Sequence, residues 1–304
     1  RINQAFQSLL YLPLYVAQEQ GFFKQQGVDV KISTGGGGAQ SWSAVIGGSA
    51  DFSIQDPVFV PKTRENGGKG VVVAGVQNAP TIFIFGKEAA SLQDNLSLLA
   101  GKRVVTSPQP DTTWAFMSYL IKQNNLKDVK LVHVAIGNEI PAVAAGRADY
   151  ALAAEPQTTM AEMQNGLHVV YSFSAAQSWY PFAFSSLTTT QQYIDKNQQA
   201  AQAVVTAFEQ ASRFIYKHPA ESVTIARKYF PALPEEVVKT AVQRDIDAQG
   251  HPENVLVSQQ AWDNNMNIAP SATNTQAYPS DAPSYQHHVN TQLATPAQQT
   301  PSQE

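Results

Sequence analysis

The chain contains no cysteine, and this absence excludes disulfide bonds, cysteine nucleophiles and zinc sites built on thiolates. It also lacks any apolar run of the ~18 residues that a membrane-spanning helix needs. Charge is sparse, because Lys, Arg, Asp and Glu together make up 14% of the 304 residues, and 20 basic against 24 acidic residues leave a formal net charge of −4. Since no block of basic residues stands out, we expect no nucleic-acid partner.

The remaining composition is that of a globular protein. Hydrophobic residues make up 43% of the chain, and 304 residues suffice for two domains of ordinary size. The sequence opens at Arg1, almost directly with a strand-like segment and without an initiating methionine. We therefore expect a mature chain whose targeting segment has been removed.

Two stretches of the sequence, residues 44–57 and 142–156, read as copies of one another. Each predicts a helix of small residues that ends at a glycine, Gly48 or Gly146, in the left-handed conformation that glycine adopts without a Cβ penalty. An Ala-Asp turn, a short apolar strand opened by Phe52 or Tyr150, an acid and a proline follow. Because an internal repeat indicates repeated structural units, we expect two α/β lobes of similar plan with a ligand cleft between them.

Hydrophobic periodicity predicts strands that alternate with helices through both halves of the chain. The sequence therefore predicts two mostly parallel sheets covered by helices. In the Gln-, Asn- and Pro-rich tail it predicts one weak helical stretch at residues 285–293 and disorder at residues 295–304. Outside the repeat, strands are expected at residues 2–6, 28–32, 71–76, 103–106, 129–134, 169–173 and 185–189, and helices at residues 13–21, from 57, and at 114–124, 156–166 and 200–218.

Several short motifs follow one another along the chain. They are Leu-Pro-Leu-Tyr-Val-Ala at residues 12–17, Gly-Phe-Phe at 21–23, Gly-Val-Asp-Val at 27–30, Ala-Asp-Phe at 50–52, Leu-Ala-Gly-Lys-Arg-Val at 99–104, and Gly-Arg-Ala-Asp-Tyr at 146–150 followed by Glu155-Pro156. Their order and spacing resemble those of the periplasmic substrate-binding proteins of ABC transporters, in the group that takes nitrate, sulfonates, taurine and thiamine precursors. The resemblance covers roughly residues 1–290. It implies a type II binding-protein fold and delivery of a ligand to a membrane permease.

The resemblance further implies a discontinuous first lobe that carries both termini. We assign residues 1–81 and 186–304 to this lobe and residues 82–185 to an inserted second lobe. The chain then crosses between the lobes twice, near residues 80–84 and 182–187. Two crossing strands would form a hinge that opens and closes the cleft.

Candidate ligand-binding residues follow from the rule that ligands of open α/β sheets bind beyond the carboxyl ends of the strands, where loops lead into helix N-termini. The rule selects the loops at residues 7–11, 35–42, 55–56, 107–113 and 137–139, together with Glu155. The candidates are Gln7, Ser8, Leu10, Tyr11, Gly37, Gly38, Gln40, Trp42, Gln55, Asp56, Pro80, Ser107, Asp111, Thr112, Thr113, Asn138, Glu155 and Trp179.

The glycine run at residues 35–38 either brings backbone N–H groups close to a ligand or forms only a flexible turn. It is not a P-loop, because no Gly-Lys-Ser/Thr follows. It is not a dinucleotide fingerprint either, because the sixth position is Gln40. We therefore expect no cofactor.

Asp56 and Glu155 end matching strands and precede prolines, so each either caps the next helix or faces the cleft. A carboxylate in the cleft would prefer an amine or the exocyclic amino group of a heterocycle. Thr112 and Thr113 offer donors at a helix start, whereas Asp111 beside them disfavours a strongly anionic ligand. No Arg or Lys in these loops provides a bidentate clamp for sulfonate or phosphate. We prefer Glu155 as the specificity residue.

Aromatic residues in or beside these loops either pack against the body of the protein or stack on a flat ligand, and we select Trp42 and Trp179 for stacking. Trp262 is expected in the core. The six histidines show no metal-ligand spacing apart from the adjacent pair His287 and His288. Because neighbouring residues of a helix or strand point apart, we expect no metal site there.

These observations predict a binding protein without catalysis, a monomer outside the cytoplasm that delivers a small organic molecule to the permease and ATPase of an ABC importer. A nitrogen-containing or aromatic ligand such as a pyrimidine precursor is favoured, and a sulfonate is the alternative. Two other classes stay open: an enzyme on the same fold, in pyrimidine or menaquinone-precursor biosynthesis, and the ligand-sensing domain of a signalling protein. The yeast pyrimidine synthase that resembles this group has a cysteine-rich signature, which this chain lacks.

Overall fold

The computed structural model of the protein describes residues 1–64, 69–176, 179–268 and 284–297. Within these ranges, ten strands form two mixed five-stranded sheets. Sheet A has the order β2-β1-β3-β10-β4 and contains β1 (Ile2–Gln4), β2 (Ile32–Thr34), β3 (Phe52–Gln55), β4 (Gly70–Gln77) and β10 (Ser185–Thr190). Sheet B has the order β7-β6-β8-β5-β9 and contains β5 (Phe83–Gly86), β6 (Arg103–Thr106), β7 (Lys130–His133), β8 (Tyr150–Ala153) and β9 (His168–Ser172).

Helices pack on each sheet, and we call the half built on sheet A lobe 1 and the half built on sheet B lobe 2. No helix in the described ranges is long and apolar enough to cross a membrane. The helices of lobe 2 are α5 (Thr112–Gln123), α6 (Glu139–Ala144) and α7 (Gln157–Asn165). The helices of lobe 1 are α1 (Leu12–Glu19), α2 (Phe22–Gln25), α3 (Gly38–Ile46), α4 (Phe59–Arg64), α8 (Gln191–Lys196), α9 (Gln198–Lys217), α10 (Pro219–Tyr229), α11 (Glu235–Asp247), α12 (Gln259–Met266), α13 (Tyr285–His288) and α14 (Ala294–Ala297).

The two sheets share one topology, and each contains an antiparallel strand next to its centre. In sheet A, β1 is parallel to β2 and β3, whereas β10 is antiparallel to β3 and β4. In sheet B, β5 is likewise antiparallel to β8 and β9. The prediction of mostly parallel sheets is therefore wrong for these pairings. The reason is that β10 and β5 arrive from the opposite lobe and enter each sheet at its carboxyl edge.

The Ala-Asp turn of each repeat has the same structural role in both lobes. Asp51 accepts a hydrogen bond from the main-chain nitrogen of Arg1 at 2.8 Å, and Asp149 accepts one from that of Arg103 at 2.8 Å. The guanidinium groups of both arginines bind the same carboxylates. Both glycines before the turns have positive φ, +78° and +74°. The repeated aspartate therefore ties the repeat strand to the strand beside it.

The acid lies one residue further from the aromatic residue in the second repeat than in the first. In sheet A, β1 pairs with β3 at Phe52, and in sheet B, β6 pairs with β8 at Tyr150. Counted from these residues, Asp56 in lobe 1 corresponds to Ala154 in lobe 2, and Glu155 lies one residue further along. Because successive residues of an extended chain point to opposite sides, the prediction that Asp56 and Glu155 occupy equivalent positions is wrong.

Most predicted elements are present, with ends that differ from the prediction by no more than two residues. Two are misplaced. The strand expected at residues 28–32 is β2 (Ile32–Thr34), because the Val28 N–H still bonds to the Phe23 carbonyl behind α2. The helix expected from Pro57 starts at Phe59, after a turn.

The chain passes between the sheets after β4, at residues 78–82, and after β9, where the described residues are 173–176 and 179–184. The two crossings lie side by side, because the Phe182 N–H donates to the Asn78 carbonyl at 2.9 Å and the Phe184 N–H donates to the Gln77 carbonyl at 3.1 Å. Ser185, which the prediction assigned to the second lobe, pairs with Gln77 in sheet A. A pair of hydrogen-bonded crossings is the geometry of a two-strand hinge.

The C-terminal segment covers the edge of sheet A. Val289 forms a parallel bridge with Val72 of β4, and the Asn290 N–H donates to the Val72 carbonyl at 2.8 Å. The His288 ring stacks on Trp262 with centroids 5.6 Å apart, and Trp262 is fully buried as predicted. Covering an edge strand removes a site at which another chain could pair.

The end of the described chain is a helical turn, α14, which packs on α9 with Ala297 fully buried. The prediction of disorder is therefore wrong for residues 295–297, because an apolar patch on α9 stabilises the turn. Residues 298–304 of the same predicted stretch lie outside the described residues. The predicted helical stretch at 285–293 is reduced to α13.

Candidate ligand-binding site

A cavity with about 650 Å³ of atom-free space, part of it open to solvent, lies between the lobes. The loops after β1, β3, β6, β7 and β8 contribute to it, so the cavity lies at the edge of both sheets that the carboxyl-end rule selects. The lining residues are Ala5, Phe6, Leu10, Tyr11, Gly38, Asp56, Phe59, Ile82, Ser107, Asp111, Thr112, Thr113, Ile136, Glu139, Ala153, Ala154, Gln157, Phe184 and Ser185.

Eight of the predicted candidates line this cavity, namely Leu10, Tyr11, Gly38, Asp56, Ser107, Asp111, Thr112 and Thr113. The other ten do not line it. They lie in the adjacent loops, the hinge or the core, and they are Gln7, Ser8, Gly37, Gln40, Trp42, Gln55, Pro80, Asn138, Glu155 and Trp179.

Asp56 connects the two lobes. One of its oxygens accepts from the Val58 N–H at 3.1 Å and from Asn265 Nδ2 at 2.7 Å. The other accepts from the hydroxyl of Thr112, in lobe 2, at 2.8 Å. Burial raises the pKa of Asp56, and the hydrogen bonds from Asn265, Val58 and Thr112 oppose this shift. Asp56 therefore caps the turn before α4, as one of the two predicted roles requires, and also contacts the opposite lobe across the cavity.

Two further carboxylates line the cavity from lobe 2. Glu139 is only 5% exposed and accepts the Gly137 N–H at 2.8 Å, while burial raises its pKa. Asp111 occupies the N-cap position of α5 without a side-chain capping hydrogen bond, and burial raises its pKa too. Glu139 lies in a loop selected from the sequence, although it was not chosen individually.

The hydroxyl groups of the α5 loop are largely paired within the protein. Thr113 accepts from the Ser107 N–H at 2.9 Å, and its hydroxyl lies 2.6 Å from the Ser107 hydroxyl. Thr112 donates to Asp56. Of the two threonines predicted as ligand donors, Thr113 thus closes its own loop and Thr112 contacts lobe 1.

Aromatic side chains form much of the wall of the cavity. Tyr11 is 1% exposed, with its ring 5.4 Å from that of Phe6, and Phe59 and Phe184 complete the set. The Phe59 ring lies against Gly38, where a Cβ atom would come within 2.4 Å of it. Phe6, Phe59 and Phe184 were missed because a lone phenylalanine in a sequence looks the same in a core as in a cleft.

The glycine run binds the protein itself. The N–H groups of Gly35 and Gly36 donate to the carbonyls of Gln4 and Ala5, both at 2.8 Å, at the end of β1. A Cβ atom on Gly35 would lie 2.8 Å from the Ser41 nitrogen, and Gly36 has a φ of +90°. Gly35 and Gly36 therefore allow a close approach between α3 and β1, whereas Gly38 of the same run lines the cavity.

Both tryptophans selected for stacking are packed in the protein interior. Trp42 is 1% exposed, and its ring lies directly against Gly70 of β4. Trp179 is 6% exposed within a cluster of rings, with centroids 4.9 Å from Phe116 and 5.0 Å from Phe173. Their size favours burial in an apolar cluster over a position on the cavity wall.

Glu155 faces away from the cavity. It is fully buried, and its carboxylate accepts from the Thr159 N–H at 3.1 Å and from Arg244 Nη1 of α11 at 2.8 Å. Its main-chain carbonyl accepts from the Ser8 hydroxyl at 2.8 Å and the Leu9 N–H at 3.2 Å. Glu155 therefore caps α7 and binds lobe 1, and the expectation that it confers ligand specificity has no geometric support.

The remaining candidates have structural partners or are exposed. Gln7 donates to the Tyr229 carbonyl, and Gln55, fully buried, donates to Thr188 at 3.1 Å within sheet A. Gln40 and Asn138 are exposed, the latter at the N-cap of α6. Gly37 and Pro80 are buried beside the cavity and the hinge respectively.

Arg244 forms an ion-pair cluster behind the cavity. Besides Glu155, it binds the Thr159 hydroxyl at 2.8 Å and the Glu162 carboxylate, all on lobe 2, and its guanidinium lies 5.3 Å from the Phe83 ring centroid. The carboxyl-end rule could not select Arg244, because this residue lies on a helix and not in a loop that follows a strand. Only the packing of α11 against α7 brings it there.

Asp245, the next residue on α11, is fully buried, and neither of its carboxylate oxygens has a hydrogen-bond partner in the described structure. Burial, and secondarily the charge of Glu155, hold its pKa well above the usual value. A group whose folded-state pKa is raised contributes stability below its unfolded pKa, and this contribution is lost as the pH rises through the folded pKa.

We therefore expect Asp245→Asn to stabilise the protein at pH 8 by about 1–2 kcal/mol, with almost no effect near pH 4. The amide resembles the protonated acid, so it avoids the cost of a buried charge. Urea unfolding at the two pH values measures the difference. Asp247→Asn, which changes an exposed acid on the same helix, serves as the control and should have little effect at either pH. A destabilised Asp245→Asn protein at pH 8 would contradict the expectation.

No group of three or more His, Asp or Glu side chains in the described residues is arranged to hold a metal ion. His251 is buried with its Nδ1 3.1 Å from Gln77 Nε2, and burial lowers its pKa to about 4. The pair His287 and His288 has separate partners, since His287 contacts the Ser284 hydroxyl and His288 contacts the Ser284 carbonyl.

Comparisons with known proteins identify the family of the chain. The family model described as "NMT1/THI5 like" matches residues 10–222. YtlA of Bacillus subtilis (strain 168) is 24% identical over 270 residues, which cover 86% of this chain and 80% of YtlA.

Solved structures share the fold over the whole chain. The ligand-binding component of an ABC-type import system from Staphylococcus aureus has a TM-score of 0.79 at 14% identity, covering 98% of both chains. The aliphatic sulphonate-binding protein SsuA from Escherichia coli has a TM-score of 0.74 at 16% identity, covering 100% of this chain and 92% of SsuA. The fold is thus that of the periplasmic binding proteins, as expected from the sequence motifs. The chain belongs to the NMT1/THI5-like family.

Proposed function

We propose that this chain is an extracytoplasmic solute-binding protein, which captures a small organic molecule between its lobes and delivers it to the permease and ATPase of an ABC importer. The observation that carries the proposal is the position of the cavity. It lies between the two sheets, is lined from both lobes, and is crossed by the hydrogen bond from Thr112 to Asp56. The fold shared with binding components of importers supports it.

The hinge gives this arrangement a mechanism. Two hydrogen-bonded crossings can bend together, so the lobes can move as rigid bodies around them. A ligand stabilises the closed form only by as much as it binds that form more tightly than the open one. Contacts from both lobes provide this difference, since a ligand loses one set of contacts when the cleft opens.

The chemistry of the lining supports a binding role rather than catalysis. The hydroxyls of Ser107 and Thr113 in the lining are paired with each other, and that of Thr112 donates to Asp56. No histidine or lysine is among the lining residues that the structure describes. A serine without a neighbouring base is a weak nucleophile.

The same lining favours a nitrogen-containing or aromatic ligand. Aromatic walls and carboxylates suit a flat molecule with N–H donors. No arginine or lysine lines the described wall of the cavity, so the wall offers no cation of the kind that commonly binds a sulfonate. A sulfonate is therefore the alternative that the experiment must separate.

Thermal unfolding against a panel of small amines, amino-heterocycles, aromatic amides and sulfonates tests the proposal. A ligand at 100 times its Kd stabilises the folded state by about 2.7 kcal/mol. We expect at least one amine or amino-heterocycle to raise Tm and to reduce the radius of gyration in solution scattering. Failure of every compound to change either quantity would contradict the proposal. Uptake into proteoliposomes that carry the cognate permease and ATPase tests delivery.

The contact across the cavity makes a sharper prediction. Thr112→Val removes the hydroxyl that binds Asp56 and keeps the shape of the side chain. Because one hydrogen bond contributes about 1 kcal/mol, we expect roughly fivefold weaker binding of the ligand found in the panel. Titration calorimetry measures it, with Thr224→Val on the exposed face of α10 as the matched control. Equal affinities of the two variants would contradict a role for this contact in closure.

A further inference from the structure

We propose that the ligand of this cavity carries a positive charge and that the carboxylates of Asp111 and Glu139, both in lobe 2, bind it. This inference rests on the proposed function and specifies its ligand class. It concerns the two lining acids that take no part in the contact between the lobes.

The three acids of the lining differ in the hydrogen bonds that their carboxylates accept from protein donors. Both oxygens of Asp56 accept hydrogen bonds from protein donors. Glu139 accepts only backbone N–H groups, those of Gly137 and of its own residue. Asp111 makes no capping hydrogen bond. Neither Asp111 nor Glu139 has an ion-pair partner within the described residues, so these two retain the capacity to bind a ligand.

The charge balance of the cavity is negative. Lys62 on α4 is the cation whose charge acts on Asp56 and Asp111, where it opposes the rise in pKa that burial causes. Its ammonium group lies 5.4 Å from the Phe59 ring centroid. It does not act in this way on Glu139. A buried carboxylate without a cation is costly, and burial disfavours the charged form of all three acids. A bound cation would relieve this cost, whereas a bound anion would increase it.

The opposite wall suits the same charge. Phe6, Tyr11 and Phe59, all from lobe 1, present aromatic rings to the cavity. A cation over an aromatic face within about 6 Å is attracted by the ring quadrupole. A flat organic cation, such as an amidinium or a protonated amine on a ring, would therefore contact carboxylates on one side and aromatic rings on the other.

The experiment uses two sets of matched probes that differ in charge. The first set is benzamidinium, benzamide and benzoate, and the second is benzylammonium, benzyl alcohol and benzenesulfonate. Titration calorimetry at pH 7.5 compares their affinities for the whole chain. We expect the cation of at least one set to bind tenfold or more tightly than its neutral and anionic analogues.

Two substitutions assign the charge to the residues. Glu139→Gln and Asp111→Asn should each weaken binding of the cation tenfold or more while leaving binding of the neutral analogue within about twofold. Glu88→Gln and Asp94→Asn remove exposed acids from lobe 2 and should leave both affinities unchanged. Thermal unfolding of each variant without probe verifies folding, and either cavity variant alone suffices for the comparison.

Three results would overturn the inference. The first is tighter binding of benzoate or benzenesulfonate than of the cations. The second is equal binding of the cation by wild type and both cavity variants. The third is a panel ligand that is neutral or anionic and is the tightest binder found, which would remove the inference and leave the proposed function intact. If no compound binds and solution scattering shows no closure, the proposed function itself fails.

Discussion

Replacement of Arg244 by alanine is expected to lower the free energy of unfolding by roughly 3–5 kcal/mol, because it leaves a buried carboxylate without its cation. The carboxylate is that of Glu155, which is inaccessible to solvent and lies 2.8 Å from the guanidinium of Arg244. Glu162 and the Thr159 hydroxyl lose the same donor. Urea unfolding at pH 7 measures the change.

Arg227→Ala is the matched control. Arg227, on the neighbouring helix α10, pairs with Glu235 at 3.0 Å, but both side chains are about half exposed. Exposed pairs contribute about 0–1 kcal/mol, so we expect a small change. The double variant Glu155→Gln with Arg244→Met should recover much of the lost stability, because it removes both buried charges together. A loss below about 1 kcal/mol for Arg244→Ala would show that Glu155 finds another partner.

Replacement of Trp179 by alanine is expected to cost about 3–5 kcal/mol, the typical range for a buried Trp truncated to Ala. The ring packs among Phe116, Phe173, Phe182 and Tyr119 with centroid distances of 4.9 to 5.8 Å. These contacts fix the second crossing of the hinge to α5. Chemical denaturation measures the cost.

Tyr180→Ala serves as the control for Trp179→Ala, since Tyr180 is the next residue and is 42% exposed. We expect it to change stability by less than about 1 kcal/mol. Measuring ligand affinity together with stability distinguishes the predicted stacking role of Trp179 from its role in core packing. A variant that keeps its stability but loses ligand affinity would restore the stacking role, whereas lost stability at retained affinity agrees with core packing.

The fold could be predicted because its signals are local or repeated. The alternation of apolar residues, the glycine caps and the Ala-Asp turns lie within a few residues of the structure they specify, as β3 and β8 show. The direction of β10 and β5 could not be predicted in this way. It depends on which lobe the chain has just left, and hydrophobic patterning is the same for parallel and antiparallel strands.

The candidate site was predicted only in part, for a reason that Glu155 illustrates. The carboxyl-end rule selected loops that line the cavity, but it does not state which side of a strand end a residue faces. Because the second repeat has one extra residue, the carboxylate of Glu155 lies outside the cavity. There it pairs with Arg244 of α11. Glu139 lies in a selected loop and faces the cavity. The rule resolves loops and not side chains.

By itself the sequence determined the two-lobe α/β plan, the family and the edge of each sheet at which the cavity lies, because these depend on periodicity, turns and the order of motifs along the chain. Only the tertiary structure decided which acids line the cavity, which rings belong to the core and which cation pairs with Glu155. Each of these depends on contacts between segments far apart in sequence, such as Asp56 with Asn265 and Glu155 with Arg244. Burial and charge pairing are properties of packed neighbours, and packed neighbours exist only after the chain has folded.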